Sequence, residues 1–430
     1  MVAVGILFRK LHGYRCPLPV KIAALAVLVA VLVIACAAIQ QRDEPPETAA
    51  APVPEPPPEV EPEAEDEPQH EDEPRPEDEP QPHAAVPDLK QALEVEIATW
   101  RGFAGGAASI TFDDGTWDQY ALGAPILEEH GIRGTFFVIS HLMNRGVWDD
   151  DGTIRRLMSW DEAAELADAG HEIGGHGATH IDLSREAADA EYELVESRRK
   201  IEEELPGVTV ASMSWPYFRS TREVREIAGE VYLAARGGAA IPDQYRDLHE
   251  TNPADAAPAD LYDVNSIGLR SDDPLEEWRE IADEIYADGG WAVVTLHGID
   301  DGSIESSRIG WEPVAPDDLS AILEEFQRRD LWIAPFGEVA AYIRHRERAQ
   351  VELNALGPSE ISLSVTGDER AGILDVPLTL RVSVDNGTGN IPLELVGGPT
   401  ASRGADGELI VEVVPNGEPV IIRTDGYALP

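Results

Sequence analysis

Ala107-Ala108-Ser109-Ile110-Thr111-Phe112-Asp113-Asp114-Gly115 decides the fold. The apolar, partly β-branched lead reads as a buried strand. It ends abruptly in two carboxylates and a glycine turn. Neighbouring side chains on an extended chain point apart, so Asp113 and Asp114 can take different roles, one toward a metal and one toward a substrate. Asp-Asp-Gly is also an ordinary turn sequence. The pair therefore gains its weight from partners elsewhere in the chain.

Outward from this run the same grammar repeats. Short apolar segments ending in polar turns predict strands at 107–112, 134–139, 171–174, 210–215, 231–235, 263–267, 291–296 and 331–334. Amphipathic stretches between them predict helices at 119–130, 160–169, 185–205, 274–287 and 338–348. Ser159-Trp160-Asp161-Glu162 is a capping box that opens one of them. Strand–helix alternation over 91–350 predicts an α/β fold of the (β/α)-barrel kind. Beyond it, ISLSV, PLTLRVSV, ELIVEVV and PVIIRT alternate with the turn sequences NGTGN, ADGE and PNGE. That pattern predicts a small all-β, sandwich-like domain over 355–430. It has no His or Cys and little aromatic surface. It reads as an accessory or spacer first and as a carbohydrate-binding module second.

Residues 22–39 are 18 consecutive apolar positions behind Lys21. The length is at the lower limit for a spanning helix, and the basic flank before it puts the N-terminus inside. Val33-Ile34-Ala35-Cys36 also resembles a lipobox. Segment 1–40 is thus a lipoprotein signal or a membrane anchor. Either one leaves the body extracytoplasmic, with a membrane as partner. Residues 41–90 carry 17 acids against three bases among many prolines. Such a segment has little to bury and repels itself, so it predicts a disordered tether.

The whole chain has 430 residues and a formal charge of −48, of which −38 belongs to 91–430. A general nucleic-acid binder is excluded, because phosphate contacts need clustered Lys and Arg. The only two cysteines, Cys16 and Cys36, precede the body, which removes a disulfide framework or a cysteine-ligated zinc site there.

Two further stretches bear on the chemistry. His176-Gly177-Ala178-Thr179-His180 follows the predicted strand at 171–174. An i, i+4 pair puts both imidazoles on one side of a helical turn, a spacing found at zinc sites. Two His and one Asp would leave open positions on a catalytic metal. Thr179 would buttress a ligand or cap a turn. His297 closes the strand at 291–296 in Val294-Thr295-Leu296-His297-Gly298. A barrel-strand terminus aims it at the same mouth as Asp114 and His176, where it can serve as a general acid.

The order TFDDG, GHEIGGHGATH, WPY and TLHG resembles the polysaccharide deacetylases with a NodB-type domain, carbohydrate esterase family four. The resemblance covers roughly 105–345. It implies a distorted (β/α) barrel of about seven strands and a divalent metal, usually zinc. It also implies an acetylated glycan as substrate, N-acetylated or, less often, O-acetylated. By resemblance Asp113 is the general base and Asp114, His176 and His180 are the metal triad. His297 is the general acid, and the backbone N–H of Tyr217 donates to the oxyanion. The chain departs from the family at Ser214, where an Arg often steadies the base, and Gly177 stands where Ser or Thr is usual. The family's fourth-motif Asp has no counterpart that can be placed. Arg236 is the candidate supporting charge, with an outer salt bridge as the alternative. Two other readings stand beside hydrolysis of glycan acetyl groups: a non-catalytic glycan-binding envelope protein on the same barrel, and a hydrolase of small amides or imides.

Overall fold

The structure, a computed structural model, describes residues 93–424 apart from 151, 239–259, 272, 304–307, 358, 385–391, 398–400 and 405–407. The segments 1–40 and 41–90, with Cys16 and Cys36, lie outside the described residues. Among the described residues no helix is long and apolar enough to cross a membrane.

The chain opens on β1 (Leu93–Ile97) and runs into β2 (Gly106–Phe112), α1 (Ala124–Glu129) and β3 (Thr135–Val138). A hairpin of β4 (Val147–Asp150) and β5 (Thr153–Arg156) follows, then α2 (Trp160–Asp168) and β6 (Glu172–Gly175). Next come α3 (Ala190–Glu204), β7 (Ser212–Ser214), α4 (Arg222–Val231), β8 (Ala234–Arg236) and β9 (Ile267–Gly268). The body of the barrel ends with α5 (Leu275–Asp288), β10 (Trp291–Leu296), α6 (Pro316–Gln327), β11 (Leu331–Ile333) and α7 (Phe336–Arg348).

Seven parallel strands lie in the order β8-β7-β6-β3-β2-β10-β9, and β11 pairs with the first half of β2. The expected strand at 263–267 is divided across the seam. Val264 bridges Arg236 at one edge, and Ile267 pairs with Val294 at the other. The sheet thereby curls into the distorted barrel. β2 and β10 are buried along their whole length, as strands covered on both faces must be. That is why GAASITF and WAVVTL are continuous small or apolar runs. Gly174 is needed in β6, because a Cβ there would lie 2.5 Å from the Phe137 ring. Phe112 stacks on Phe136 at 4.8 Å, a contact that adds about 0.5–1.5 kcal/mol to the area buried.

Helix ends agree with local chemistry. Ser159 accepts from Glu162 N–H and Glu162 returns to Ser159 N–H, the reciprocal box read from the sequence. The expected strand start at Val231 is the last turn of α4, and strand geometry begins only at Ala234.

After α7 the chain builds two antiparallel sheets. One is β12 (Gln350–Gly357), β13 (Glu360–Thr366), β18 (Val420–Thr424) and β15 (Leu393–Leu395). The other contains β14 (Leu378–Val384), β17 (Leu409–Val413) and β16 (Ala401–Arg403). The strand β1 completes it by pairing with β14. Residues 93–97 thus belong to the sandwich, although their position in sequence assigns them to the barrel. Alternation of buried and exposed residues along β13, β14 and β17 gives each sheet one apolar face. The sandwich core is shared with the barrel through Ala341 and Tyr342 of α7. Tyr342 Oη donates to the Ala98 carbonyl at 2.9 Å, and Arg344 pairs with buried Asp368 at 3.1 Å. The β-domain is welded to the barrel rather than hung from it.

Candidate active site

Three barrel strands end on the carboxylates and imidazoles of one cleft. Asp113 N–H makes the last rung to the Leu296 carbonyl at 3.1 Å, so the ladder stops just as the first carboxylate appears. Asp114 (φ 79°) and Gly115 (φ 73°) then both enter the left-handed region. That reverses the chain and sends the two carboxylates to different partners. Such backbone is sparsely allowed outside glycine, and Asp is one of the residues that tolerate it.

The 176–180 segment corrects the expectation of a helical turn. It is an irregular loop, with Gly177 at φ 73° and His180 at φ 67°. Its support comes from α3: Thr179 Oγ1 donates to Glu193 Oε1 at 2.6 Å and Thr179 N–H to Glu193 Oε2 at 2.8 Å. A Cβ at position 177 would lie 3.0 Å from the same carboxylate. This explains a glycine where the family usually has Ser or Thr. The loop brings both Nε2 atoms within 3.4 Å of Asp114 Oδ1.

Asp113 sits on the other side of this cluster and is 1% exposed. Arg236, fully buried at the end of β8, places one guanidinium nitrogen on Asp113 Oδ2 and another 3.3 Å from Ser266 Oγ. Its Cζ lies 4.6 Å from the centre of the Phe218 ring. The outer salt bridge is thus replaced by a buried pair. Ser214, which sequence reasoning treated only as a missing Arg, has two contacts. Its hydroxyl donates to Asp113 Oδ1 at 3.1 Å and lies 2.6 Å from His176 Nδ1. His176 Nδ1 also lies 3.0 Å from the Ser214 carbonyl. Only an Nδ1–H tautomer satisfies that carbonyl, so the Nε2 lone pair is turned toward Asp114.

His297 Nε2 stands 3.8 Å from Asp113 Oδ2. No other carboxylate pairs with His297 among the described residues, so no fourth-motif Asp is found there. The wall of the cleft is aromatic. Tyr217 (φ 58°, half exposed) lays its ring 4.7 Å from His180, Trp148 of β4 is 5.1 Å from His180, and Trp311 is 5.3 Å from His297. Asp113, Asp114, His176, His180, Tyr217, His297, Trp148, Phe218, Arg219 and Trp311 line one opening, and Arg236 supports it from below. Sequence reading found six of these ten. Trp148 and Trp311 lie in connections with no motif of their own, and Glu193 is one acid among many in α3.

Electrostatics separate the roles. Burial pushes the Asp113 carboxyl up, but Arg236, His176 and His297 together bring it below the ordinary range. Asp114 is likewise driven up by burial and held below the usual range by the His176 hydrogen bond and the His180 charge. Burial lowers His180 to about 4, against the pull of Asp114. His297 is lowered too, because burial outweighs the two carboxylates. His176 moves up: Asp113 and Asp114 overcome its burial.

Residues 102–235 match the profile of the polysaccharide deacetylases. The chain carries a domain of that family. A chitooligosaccharide deacetylase of Sinorhizobium fredii is 31% identical over 134 residues, 30% of this chain and 56% of that protein. A gellan lyase of a Bacillus species is 24% identical over 347 residues, 77% of this chain but only 13% of the lyase. The chain therefore spans less than two thirds of the length of either relative. Among solved structures, the Xyl-CE4 domain of a multidomain xylanase from the hindgut metagenome of Trinervitermes trinervoides is similar, with 17% identity and a TM-score of 0.36. That likeness covers 54% of this chain and 89% of the domain.

The family's divalent metal fits the donors present. Asp114, His176 and His180 each offer a ligand atom, all within 4.8 Å of one another. His176 is fixed in the tautomer a ligand requires, and buried His180 Nδ1 has no hydrogen-bond partner among the described residues, which leaves its Nε2 as the atom facing the cluster. Asp114→Ala, His176→Ala and His180→Ala should each reduce bound metal from about one ion per chain toward none, with far-UV circular dichroism retained. Elemental analysis of the purified variants checks this, and full occupancy in any of them would remove that residue from the set.

Proposed function

We propose that the protein is a metal-dependent hydrolase that removes acetyl groups from a glycan, N-acetylated sugars first. The observation that carries this reading is the pairing of a buried, cation-held carboxylate, Asp113, with His297 at 3.8 Å beside an Asp-His-His donor set. When bound, a divalent cation would supply Lewis-acid polarisation of the acetyl carbonyl and acidify water.

The chain's own residues do the rest. Asp113, ionised at neutral pH, accepts the proton of the attacking water at Oδ2. His297 is neutral at rest, because burial lowers it. It therefore acts as the acid only after taking up that proton, and Asp113 Oδ2 is the adjacent source. The proton then passes from His297 Nε2 to the departing amine or alcohol, and the balance closes with acetate and a free sugar group as products. The Tyr217 N–H donates to the oxyanion, a role that needs a backbone position and no particular side chain. Trp148, Tyr217 and Trp311 offer the flat apolar faces that a sugar ring covers.

Acetate release from chitin oligosaccharides, peptidoglycan, acetylxylan and small amides tests the reading. Release from N-acetylated glycans is expected. Glycan binding with no acetate from any of the four would favour the non-catalytic reading, and turnover confined to small amides would favour the amide hydrolase. The name of the chitooligosaccharide relative supports placing chitin oligosaccharides first.

We also infer, from the sequence of 22–39, that the body acts outside the cytoplasm at a membrane. Cys36→Ala separates the two modes of attachment: a lipoprotein loses labelling by a fatty-acid probe, and a helical anchor is unaffected. Native full-length protein in the cytosol would refute both.

A further inference from the structure

Two backbone segments meet under the acid side of the mouth. β10 leads into His297-Gly298-Ile299, and Ile309-Gly310-Trp311 returns across it. They run in van der Waals contact. A Cβ on Gly310 would lie 1.8 Å from the His297 carbonyl oxygen, and a Cβ on Gly298 would lie 2.8 Å from the Gly310 Cα. Neither glycine has a left-handed backbone. Both are small because the segments must touch.

The group between them is Asp118, 1% exposed. Its Oδ2 accepts the Ile299 N–H at 2.8 Å and its Oδ1 accepts the Gly310 N–H at 3.2 Å. Among the described residues it has no cation partner. The next side chain acts on the same place: Gln119 Nε2 donates to the His297 carbonyl at 2.7 Å and also to the Asp113 carbonyl. Thr116 Oγ1 donates to the His297 carbonyl at 3.2 Å. From the far side Arg155 of β5 donates to the Ile309 carbonyl at 2.7 Å. Its hairpin partner β4 carries Trp148 over His180.

A buried carboxylate with no cation partner among the described residues is a costly way to join two segments. Burial drives Asp118 up to about 6, against hydrogen bonds from the Ile299 N–H, the Thr116 side chain and the Gly310 N–H. What the arrangement gives is a charged acceptor with two fixed directions, one on each side of the contact.

We propose that Asp118 is a positioning residue. By bridging Ile299 and Gly310 it fixes His297 against Asp113 and holds Trp311 at the mouth. This rests on the reading of Asp113 and His297 as the proton-transfer pair. Its effect is geometric. The His297 carbonyl and the Trp311 segment are both located by the strap that Asp118 closes, and a displacement near 1 Å at a reacting group can lower turnover about 100-fold.

The test uses the full chain with metal bound. Asp118→Asn keeps one carbonyl acceptor but presents an NH2 to the second N–H, and Asp118→Ala keeps neither. The control is Glu172→Gln. Glu172 is a half-buried acid at the opposite end of β6, hydrogen-bonded by Ser212, Thr135 and the Gly337 N–H. We expect kcat to fall about 10-fold to 100-fold in Asp118→Asn and further in Asp118→Ala, with metal content unchanged. The control should lose thermal stability comparably with kcat within about twofold. Equal kcat losses in control and Asp118 variants would mean that Asp118 is merely structural, and unchanged kcat in Asp118→Ala would overturn the proposal outright.

Amide hydrogen exchange on the wild-type protein keeps the idea testable if a variant does not fold. The Ile299 and Gly310 amides should be protected to the level of the β10 ladder. Gly310 exchanging as fast as surface loops would refute the strap. This arm does not depend on turnover. Absence of acetate release from wild-type protein with Gly310 protected would sink the deacetylase reading alone.

Discussion

Asp113→Asn should lose about 10²–10⁴-fold in turnover while its metal content stays at the wild-type level. The substitution removes a proton acceptor and leaves Asp114, His176 and His180 in place. The buried pair adds a second expected effect. Arg236 is fully buried with its guanidinium on Asp113. An amide at position 113 leaves that cation uncompensated, at a typical penalty of about 3–5 kcal/mol. The variant should therefore unfold at markedly lower denaturant concentration. Loss of activity through unfolding and loss through missing chemistry are separated by the double variant Asp113→Asn/Arg236→Met. With both charges gone it should recover much of the lost stability and none of the turnover. A double variant that regains turnover along with stability would remove Asp113 from the role of base. A single variant with turnover reduced less than tenfold would do the same.

The parts of the fold legible in the sequence are those whose burial leaves a continuous signature. β10 is covered on both faces, so WAVVTL marks it from Trp291 to Leu296 with no ambiguity. β2 is found to within a residue for the same reason. The hairpin β4–β5 leaves no such signature. Among its described side chains only Arg155 is buried, and a Trp and a run of acids carry no period. α4 buries only Val224 and Ala228, too sparse a stripe to stand out among its charges. β1 has the alternation of a strand, but its partner β14 lies beyond the whole barrel. No local pattern can report such a pairing. Within the cleft, the motif residues mark themselves because strand ends and unusual residue pairs coincide there. Ser214 and Asp118 do not. A serine in a strand and an acid in a turn are common, and their contacts exist only once β2, β7 and β10 are assembled into one curled sheet.

Arg236→Met should be the second large effect, and it acts on charge rather than on a reacting atom. In the wild type, burial alone would raise Asp113, and Arg236 is the largest influence that lowers it. Remove the guanidinium and the burial effect is uncovered, so Asp113 moves up. His297 also moves up, since Arg236 contributes to lowering it. Both groups are deprotonated in the resting enzyme, so the acidic limb of the pH–rate profile should shift to higher pH, chiefly through Asp113, which Arg236 touches. The same change weakens a linkage. A carboxylate held below its unfolded value stabilises the fold above that value and loses the contribution as pH falls through the folded pKa. In Arg236→Met that contribution shrinks, because Asp113 moves up from its lowered value. Denaturation at neutral pH should show a loss of about 3–5 kcal/mol, the penalty for a buried charge left without its partner. Arg236→Lys should fall between the two. A single ammonium can meet Asp113 but cannot also reach Ser266 and keep the guanidinium's contact with the Phe218 ring. An unshifted acidic limb in Arg236→Met, with wild-type stability, would show that the buried pair has no hold on the base.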